Sequence, residues 1–169
     1  AVAYLTMLGV IVWYMKRYRV TWAKIGLGRG IVPSDILYAV GAFVGYFLAA
    51  AAVLAAVDKV LPSINLEQEQ QIGFESANGV WQLGLVFVCL VILPPIVEEI
   101  MIRGFLYSGL RTKMGPVVAA LVASTLFGLA HLQLGLGAPP LYVAAIDTFV
   151  LSVILIGLRV KTGSLWAGI

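Results

Sequence analysis

The chain has 169 residues, of which 62% are apolar and 11% charged, and its mean hydropathy is +1.02. A soluble domain is nearer half apolar and a quarter charged, so this composition excludes a disordered chain, a disulfide-rich secreted scaffold and an ordinary cytosolic enzyme. The net charge of +3 does not indicate a nucleic-acid partner, because the basic residues lie between apolar runs. The sequence predicts an integral membrane protein with one membrane-embedded domain over residues 1–169.

Apolar stretches that could cross a bilayer follow one another along the chain. A crossing takes about 20 residues of α-helix. The stretches cover, in order, Ala1 to Met15, Ile36 to Val57, Val80 to about Val97 with further turns to Lys113, Gly115 to Leu132 and Leu141 to Leu158, and Leu165 to Ile169 would begin a sixth. We expect an all-α, polytopic transmembrane helix bundle of about five crossings. Because the sequence begins and ends inside apolar runs, we also expect it to be a fragment.

Basic residues alternate between the connections that join these helices. The first, third and fifth connections carry Lys16, Arg17, Arg19, Lys24, Arg29, Arg111, Lys113, Arg159 and Lys161. The second connection carries Asp58, Lys59, Glu67, Glu69 and Glu75, and the fourth carries no charge. The positive-inside rule places connections rich in lysine and arginine in the cytoplasm. The odd-numbered connections are therefore expected to be cytoplasmic.

Ionisable side chains inside the predicted membrane helices are the candidates for function, because they are costly to place there. The candidates are Glu98, Glu99, Arg103, His131 and Asp147. Asp147 lies only a third of the way along the fifth predicted helix, which favours a hydrated acid near the outer interface. The alternatives for Asp147 are a place in a cavity wall or a pairing with Arg103.

Two of these groups are predicted to face each other across a helical hairpin. Gly115, followed by a proline, marks the turn between the third and fourth helices. Glu98 lies 17 residues before Gly115 and His131 lies 16 residues after it, so each stands roughly 24 to 26 Å from the turn at 1.5 Å per residue. Arg103 and Phe127 are both 12 residues from the turn. They are expected to face each other as well.

The residues around Glu98 predict different tasks for the two adjacent glutamates. Glu99 and Arg103 are four residues apart with the acid first, which is the favourable order for an ion pair. Neighbouring side chains on a helix point about 100° apart, so this pairing leaves Glu98 free. Pro94 and Pro95 remove two backbone donors, and membrane helices tolerate this where neighbours or water satisfy the freed carbonyls. A wet pocket beside Glu98 is expected.

A carboxylate and an imidazole that face one wet pocket can activate water for attack on a carbonyl group. Glu98 would be the general base, and His131 would polarise the water, donate a proton or bind a metal. The alternative is structural, with Glu99 and Arg103 paired to stabilise the bundle and His131 hydrogen-bonded between helices. The matching depth of all four groups favours the chemical interpretation.

The sequence Glu98-Glu99-x-x-x-Arg103, followed by Phe127-x-x-x-His131, resembles the EExxxR and FxxxH motifs of the CPBP (Abi) family. These are the CAAX prenyl protease and bacteriocin-processing intramembrane proteases. Gly104 and the segment Lys161-Thr162-Gly163-Ser164-Leu165-Trp166 are also similar to the family pattern, so the resemblance covers roughly Val80 to the C-terminus. It implies an all-helical fold, endopeptidase activity in a bacterial plasma membrane and a catalytic core over about 80–169. Its matching catalytic residues are Glu98, Glu99, Arg103 and His131.

One family motif is not reached. In the family an HxxxN motif that stabilises the oxyanion follows TGSLW, whereas this chain stops at Ile169 and His131 is its only histidine. Losing an oxyanion donor typically costs ~10²- to 10³-fold in rate, so we expect the fragment to be incomplete as an enzyme. Family members are often described as metalloproteases, and a metal-free glutamate mechanism is also argued for some relatives.

The cofactor therefore stays open between no metal and a divalent metal such as zinc. A catalytic zinc usually has three protein ligands, and here only Glu98 and His131 are candidate ligands. Water activated by glutamate, without a tightly held metal, is favoured.

The leading hypothesis is an intramembrane endopeptidase whose partners are the lipid bilayer and a peptide or protein substrate. The second is a non-enzymatic membrane protein of the same fold, with a bacteriocin-immunity or scaffold role. The third is a transporter or channel subunit that uses Glu98 and His131 as a proton relay. A transporter predicts a second half with related hydropathy and broken helices, which the sequence does not show.

Overall fold

The computed structural model describes residues 2–68, 78–133 and 140–169, and every regular element within these ranges is helical. The helices are α1 (Val2–Tyr18), α2 (Trp22–Ile25), α3 (Pro33–Val60), α4 (Val80–Met114), α5 (Pro116–Ala130) and α6 (Tyr142–Thr162). Helices α3, α4 and α6 are long and apolar enough to cross a membrane, and α5 is a shorter apolar helix of 15 residues. The predicted all-α membrane helix bundle is confirmed.

The observed helices differ from the predicted ones mainly at their ends. Helix α1 extends three residues past Met15, and α6 continues to Thr162 rather than ending at Leu158. The predicted sixth helix would begin at Leu165, where the structure has a turn. Leu165–Ile169 form one turn, in which the N–H groups of Gly168 and Ile169 donate to the Leu165 carbonyl at 2.9 and 3.1 Å. Gly163 ends α6 in the left-handed region at φ +66°, and the turn that follows packs back onto the bundle.

Helix α4 is continuous but contains two π-helical segments. Residues Val88–Ile92 and Glu99–Tyr107 are π-helical, and Leu93–Glu98 between them is α-helical. The Leu93 N–H donates to the Val88 carbonyl, five residues back, immediately before the two prolines that lack an N–H. The turn of α4 that precedes the two prolines is therefore wider than an α-helical turn. π-helical turns are rare and occur frequently at functional sites.

Two clusters of buried side chains hold α4 in place. One joins α1, α2 and the C-terminal turn to α4 and consists of Ile11, Met15, Ile25, Val97, Ile100 and Leu165. The other joins α4, α5 and α6 and consists of Tyr107, Ala119, Ala123 and Ile156. Helices α5 and α6 approach closely at Gly128, where an added Cβ would lie 2.7 Å from the Ala145 carbonyl oxygen. Glycine is required there because the neighbouring atom is backbone, and this contact fixes the helix that immediately precedes His131.

The connections pair up at the two ends of the bundle. At one end, the Leu165 N–H and the Ser164 hydroxyl donate to the Gly26 carbonyl at 3.0 and 3.2 Å, which joins the fifth connection to the first. At the other end, the Gln68 amide donates to the Pro140 carbonyl at 2.9 Å, which joins the second connection to the fourth. The first connection therefore contacts the fifth, and the second contacts the fourth, as expected for helices that cross in alternating directions. Glu69 and Glu75 lie outside the described residues.

Candidate active site

Glu98 stands where α4 passes from α-helix to π-helix, and it faces a cavity. The cavity, here called the Glu98–His131 cavity, has a volume of about 350 Å³. Its walls include Tyr4, Met7, Glu98, Met101, Phe127 and His131. Glu98 and His131 are both half-buried. The number of residues that separate each from Gly115 predicted that Glu98 and His131 face each other, and in the structure both border this cavity.

The imidazole of His131 is oriented by the backbone of its own helix. His131 is the first residue after α5, and its Nδ1 lies 2.8 Å from the Phe127 carbonyl oxygen. A carbonyl can only accept a hydrogen bond, so Nδ1 carries the proton in this contact. The other ring nitrogen, Nε2, is then the one available to a bound group. The ring also packs edge-on against Phe127, with the centroids 4.6 Å apart.

Glu99 and Arg103 form a buried ion pair, as their spacing predicts. Arg103 Nη1 lies 3.2 Å from Glu99 Oε1, and the two side chains are only 1% and 2% exposed. The Arg103 guanidinium also lies over the Phe127 ring, 4.9 Å from its centroid, so the predicted facing of Arg103 and Phe127 is confirmed. Gly168 packs closely against the Glu99 carboxylate, since an added Cβ would lie 2.6 Å from Glu99 Oε2.

A second cavity, of about 250 Å³, lies on the Glu99 side of Glu98. Its walls include Pro95, Glu98, Glu99, Arg103, Phe127 and Gly168. Glu98 and Phe127 therefore border both cavities, whereas Glu99 and Arg103 border only the second. The two adjacent glutamates consequently have different surroundings, which agrees with their expected separate tasks.

Asp147 is half-buried on α6 and borders neither of these cavities. Its alternative role as the partner of Arg103 is wrong, because the acid that pairs with Arg103 is Glu99. Among the described residues the other ion pair joins Arg29 to Asp35, at 2.6 Å, where the first connection enters α3.

Tyr4 is a site residue that the sequence reasoning missed. Its hydroxyl donates a hydrogen bond to Glu98 Oε1 at 2.5 Å, although the two residues are 94 positions apart. Helix α1 is apolar on all sides, so its sequence does not mark which face meets α4. The sequence offers one indication of a role for Tyr4. Its polar hydroxyl lies near the start of α1, away from Trp13 and Tyr14, which lie near the other end.

A zinc ion would find an incomplete ligand set in the described part of the chain. Catalytic zinc is usually held by three protein ligands. Glu98 and His131 offer two donors to one cavity, while the carboxylate of Glu99 is engaged by Arg103. Within residues 2–68, 78–133 and 140–169, no group of three or more His, Cys, Asp or Glu side chains converges. If a divalent metal binds here, Glu98 and His131 are its candidate ligands.

Comparisons with known proteins identify the family through the same half of the chain. The family described as type II CAAX prenyl endopeptidase, Rce1-like, matches residues 80–169, which is more than half of the sequence and contains the two glutamates, Arg103 and His131. Neither the curated proteins nor the solved structures compared with the chain contain a significant match. With a helical membrane bundle around these residues, the chain belongs to the Rce1-like family of type II CAAX prenyl endopeptidases, which are membrane-embedded proteases.

Proposed function

We propose that this protein hydrolyses a membrane-proximal peptide bond of a peptide or protein substrate, with a catalytic core over about 80–169. The observation that carries the proposal is that Glu98, on α4, and His131, directly after α5, border one cavity. Family membership supports endopeptidase activity of the CAAX protease type.

In the proposed mechanism Glu98 is the general base. It takes one proton from a water molecule, and the resulting hydroxide forms a bond to the carbonyl carbon of the substrate. His131 accepts a hydrogen bond from the attacking water through Nε2 and so orients this water, since the ring proton is on Nδ1, which is bonded to the backbone. As the C–N bond breaks, Glu98 returns its proton to the leaving amine. Glu99 and Arg103 support this step by holding the turn of α4 that carries Glu98.

The mechanism predicts that Glu98→Gln abolishes cleavage. Glutamine keeps the size of the side chain but cannot accept the proton, and loss of a general base typically costs ~10²- to 10⁴-fold in rate. The measurement is peptide cleavage by the full-length protein reconstituted in lipid. Glu67→Gln is the matched control, since it makes the same charge change at an exposed residue of the second connection. Full peptidase activity of folded Glu98→Gln would contradict the proposed function.

We also propose that the odd-numbered connections are cytoplasmic and that the membrane is a bacterial plasma membrane. The cluster of lysine and arginine residues in these connections supports the orientation. In a Cys89→Ser background, Lys24→Cys is expected to react with a membrane-impermeant thiol reagent only from the cytoplasmic side. Glu67→Cys is expected to react only from the external side. Both positions are exposed in the structure, and labelling of both from the same side would contradict alternating crossings.

A further inference from the structure

The contact between Tyr4 and Glu98 joins a residue outside the segment that the family match covers to one inside it. The match begins at residue 80, whereas Tyr4 is contributed by α1. The donor–acceptor distance of 2.5 Å is in the range of a hydroxyl hydrogen bond to an ionised carboxylate, which is among the stronger hydrogen bonds in proteins. Tyr4 also borders the Glu98–His131 cavity, so its hydroxyl lies where the reaction would take place.

A tyrosine of the same helix shows that this contact is not a general property of α1. Tyr14 lies ten residues further on and packs against aromatic rings, with its centroid 4.5 Å from that of Tyr18 and 5.6 Å from that of Phe105. Tyr14 does not border the Glu98–His131 cavity. Within the described residues, the hydrogen bond to Glu98 distinguishes Tyr4 from it.

A carboxylate that acts as a general base needs one oxygen aimed at the water and a side chain that does not rotate away. Glu98 is only half-buried and borders two cavities, so packing alone leaves its end room to move. The Tyr4 hydroxyl occupies Oε1 and thereby leaves Oε2 for the water. Catalytic groups must be held within about 0.5 Å of their productive position, and a misplacement of about 1 Å can cost ~10²-fold in rate.

We propose that Tyr4 is a positioning residue, whose hydroxyl fixes the Glu98 carboxylate so that its second oxygen faces the substrate water. This inference rests on the proposed function, because it assigns Tyr4 a role only through Glu98. It extends the site to α1, a helix that lies before the matched segment.

The test compares Tyr4→Phe with Tyr14→Phe in the full-length protein in lipid. Tyr4→Phe removes one oxygen atom, and we expect kcat to fall about 10- to 100-fold while KM stays within about twofold, because the phenyl ring still fills the cavity wall. Tyr14→Phe is expected to leave kcat and KM within about twofold of the original values, since its ring packing is retained. A general structural role of Tyr4 would instead lower the melting temperature or the amount of active protein without a selective loss of kcat.

A second replacement keeps the proposal testable if Tyr4→Phe does not fold. Substituting 3-fluorotyrosine retains the ring and the hydroxyl but makes the hydroxyl a stronger donor. We expect kcat to change when it stands at position 4 and to stay unchanged when it stands at position 14. Unchanged kcat for both replacements at position 4, together with an inactive Glu98→Gln, would overturn the role of Tyr4 alone. Full activity of Glu98→Gln would instead overturn the proposed function.

Discussion

In the full-length protein reconstituted in lipid, we expect His131→Ala to lower kcat/KM by about 10²- to 10⁴-fold and to leave the fold intact. The reason is that His131 borders the cavity of Glu98, while the one hydrogen bond of its side chain in the described structure is local, to the carbonyl of Phe127. If the imidazole and the carboxylate serve one chemical step, their effects are strongly non-additive. Glu98→Gln combined with His131→Ala is therefore expected to be hardly worse than the more damaging single change.

Two conservative replacements distinguish the roles of the two ring nitrogens of His131. Asparagine keeps a donor near the position of Nδ1, which contacts the Phe127 carbonyl, but has no group that extends into the cavity. Glutamine extends a polar group towards the position of Nε2. We expect His131→Asn to be as inactive as His131→Ala and His131→Gln to retain more activity than either. The measurements are single-turnover cleavage and the melting temperature of each variant. Two losses that simply multiply in the Glu98–His131 double variant would show that the groups act in separate steps.

The position of this site along the bundle could be predicted because it depends on constants of the helix. Glu98 and His131 were expected at the same depth from their distance to Gly115 and from a fixed rise per residue. In the structure both residues border one cavity, although α4 contains two π-helical segments. The pairing of Glu99 with Arg103 was predictable for a similar reason, since a four-residue spacing places both side chains on one face.

The contacts between distant parts of the chain could not be predicted in the same way. A helix that is apolar on every side carries no mark of the face that packs against its neighbour, and α1 is such a helix. The bond from Tyr4 to Glu98 therefore became visible only in three dimensions. The same applies to the Ser164 hydroxyl, whose acceptor is the carbonyl of Gly26. The resemblance to a family motif identified the segment Lys161–Trp166 from the sequence, whereas its contact with Gly26 is seen only in the structure.

The largest expected effect on stability comes from the ion pair of Glu99 and Arg103. Both side chains are almost fully buried, at 2% and 1% exposure, and they lie 3.2 Å apart. Removing one member of a buried pair leaves the other charge uncompensated, which costs on the order of 3 to 5 kcal/mol. We therefore expect Arg103→Ala and Glu99→Ala each to lower the free energy of unfolding by this amount.

The double variant distinguishes a coupled pair from two independent losses. Removing both partners leaves no unpaired charge, so Glu99→Ala combined with Arg103→Ala is expected to cost less than the sum of the single changes. The Arg103 guanidinium also lies over the ring of Phe127, so Phe127→Leu supplies the control for that second contact. Its effect should persist when Glu99 is already alanine, since the ring contacts the cation and not the carboxylate. The measurement is a double-mutant cycle of unfolding in detergent or lipid. Strict additivity of Glu99→Ala and Arg103→Ala would contradict the pairing, because side chains that do not interact contribute independently to the free energy of unfolding.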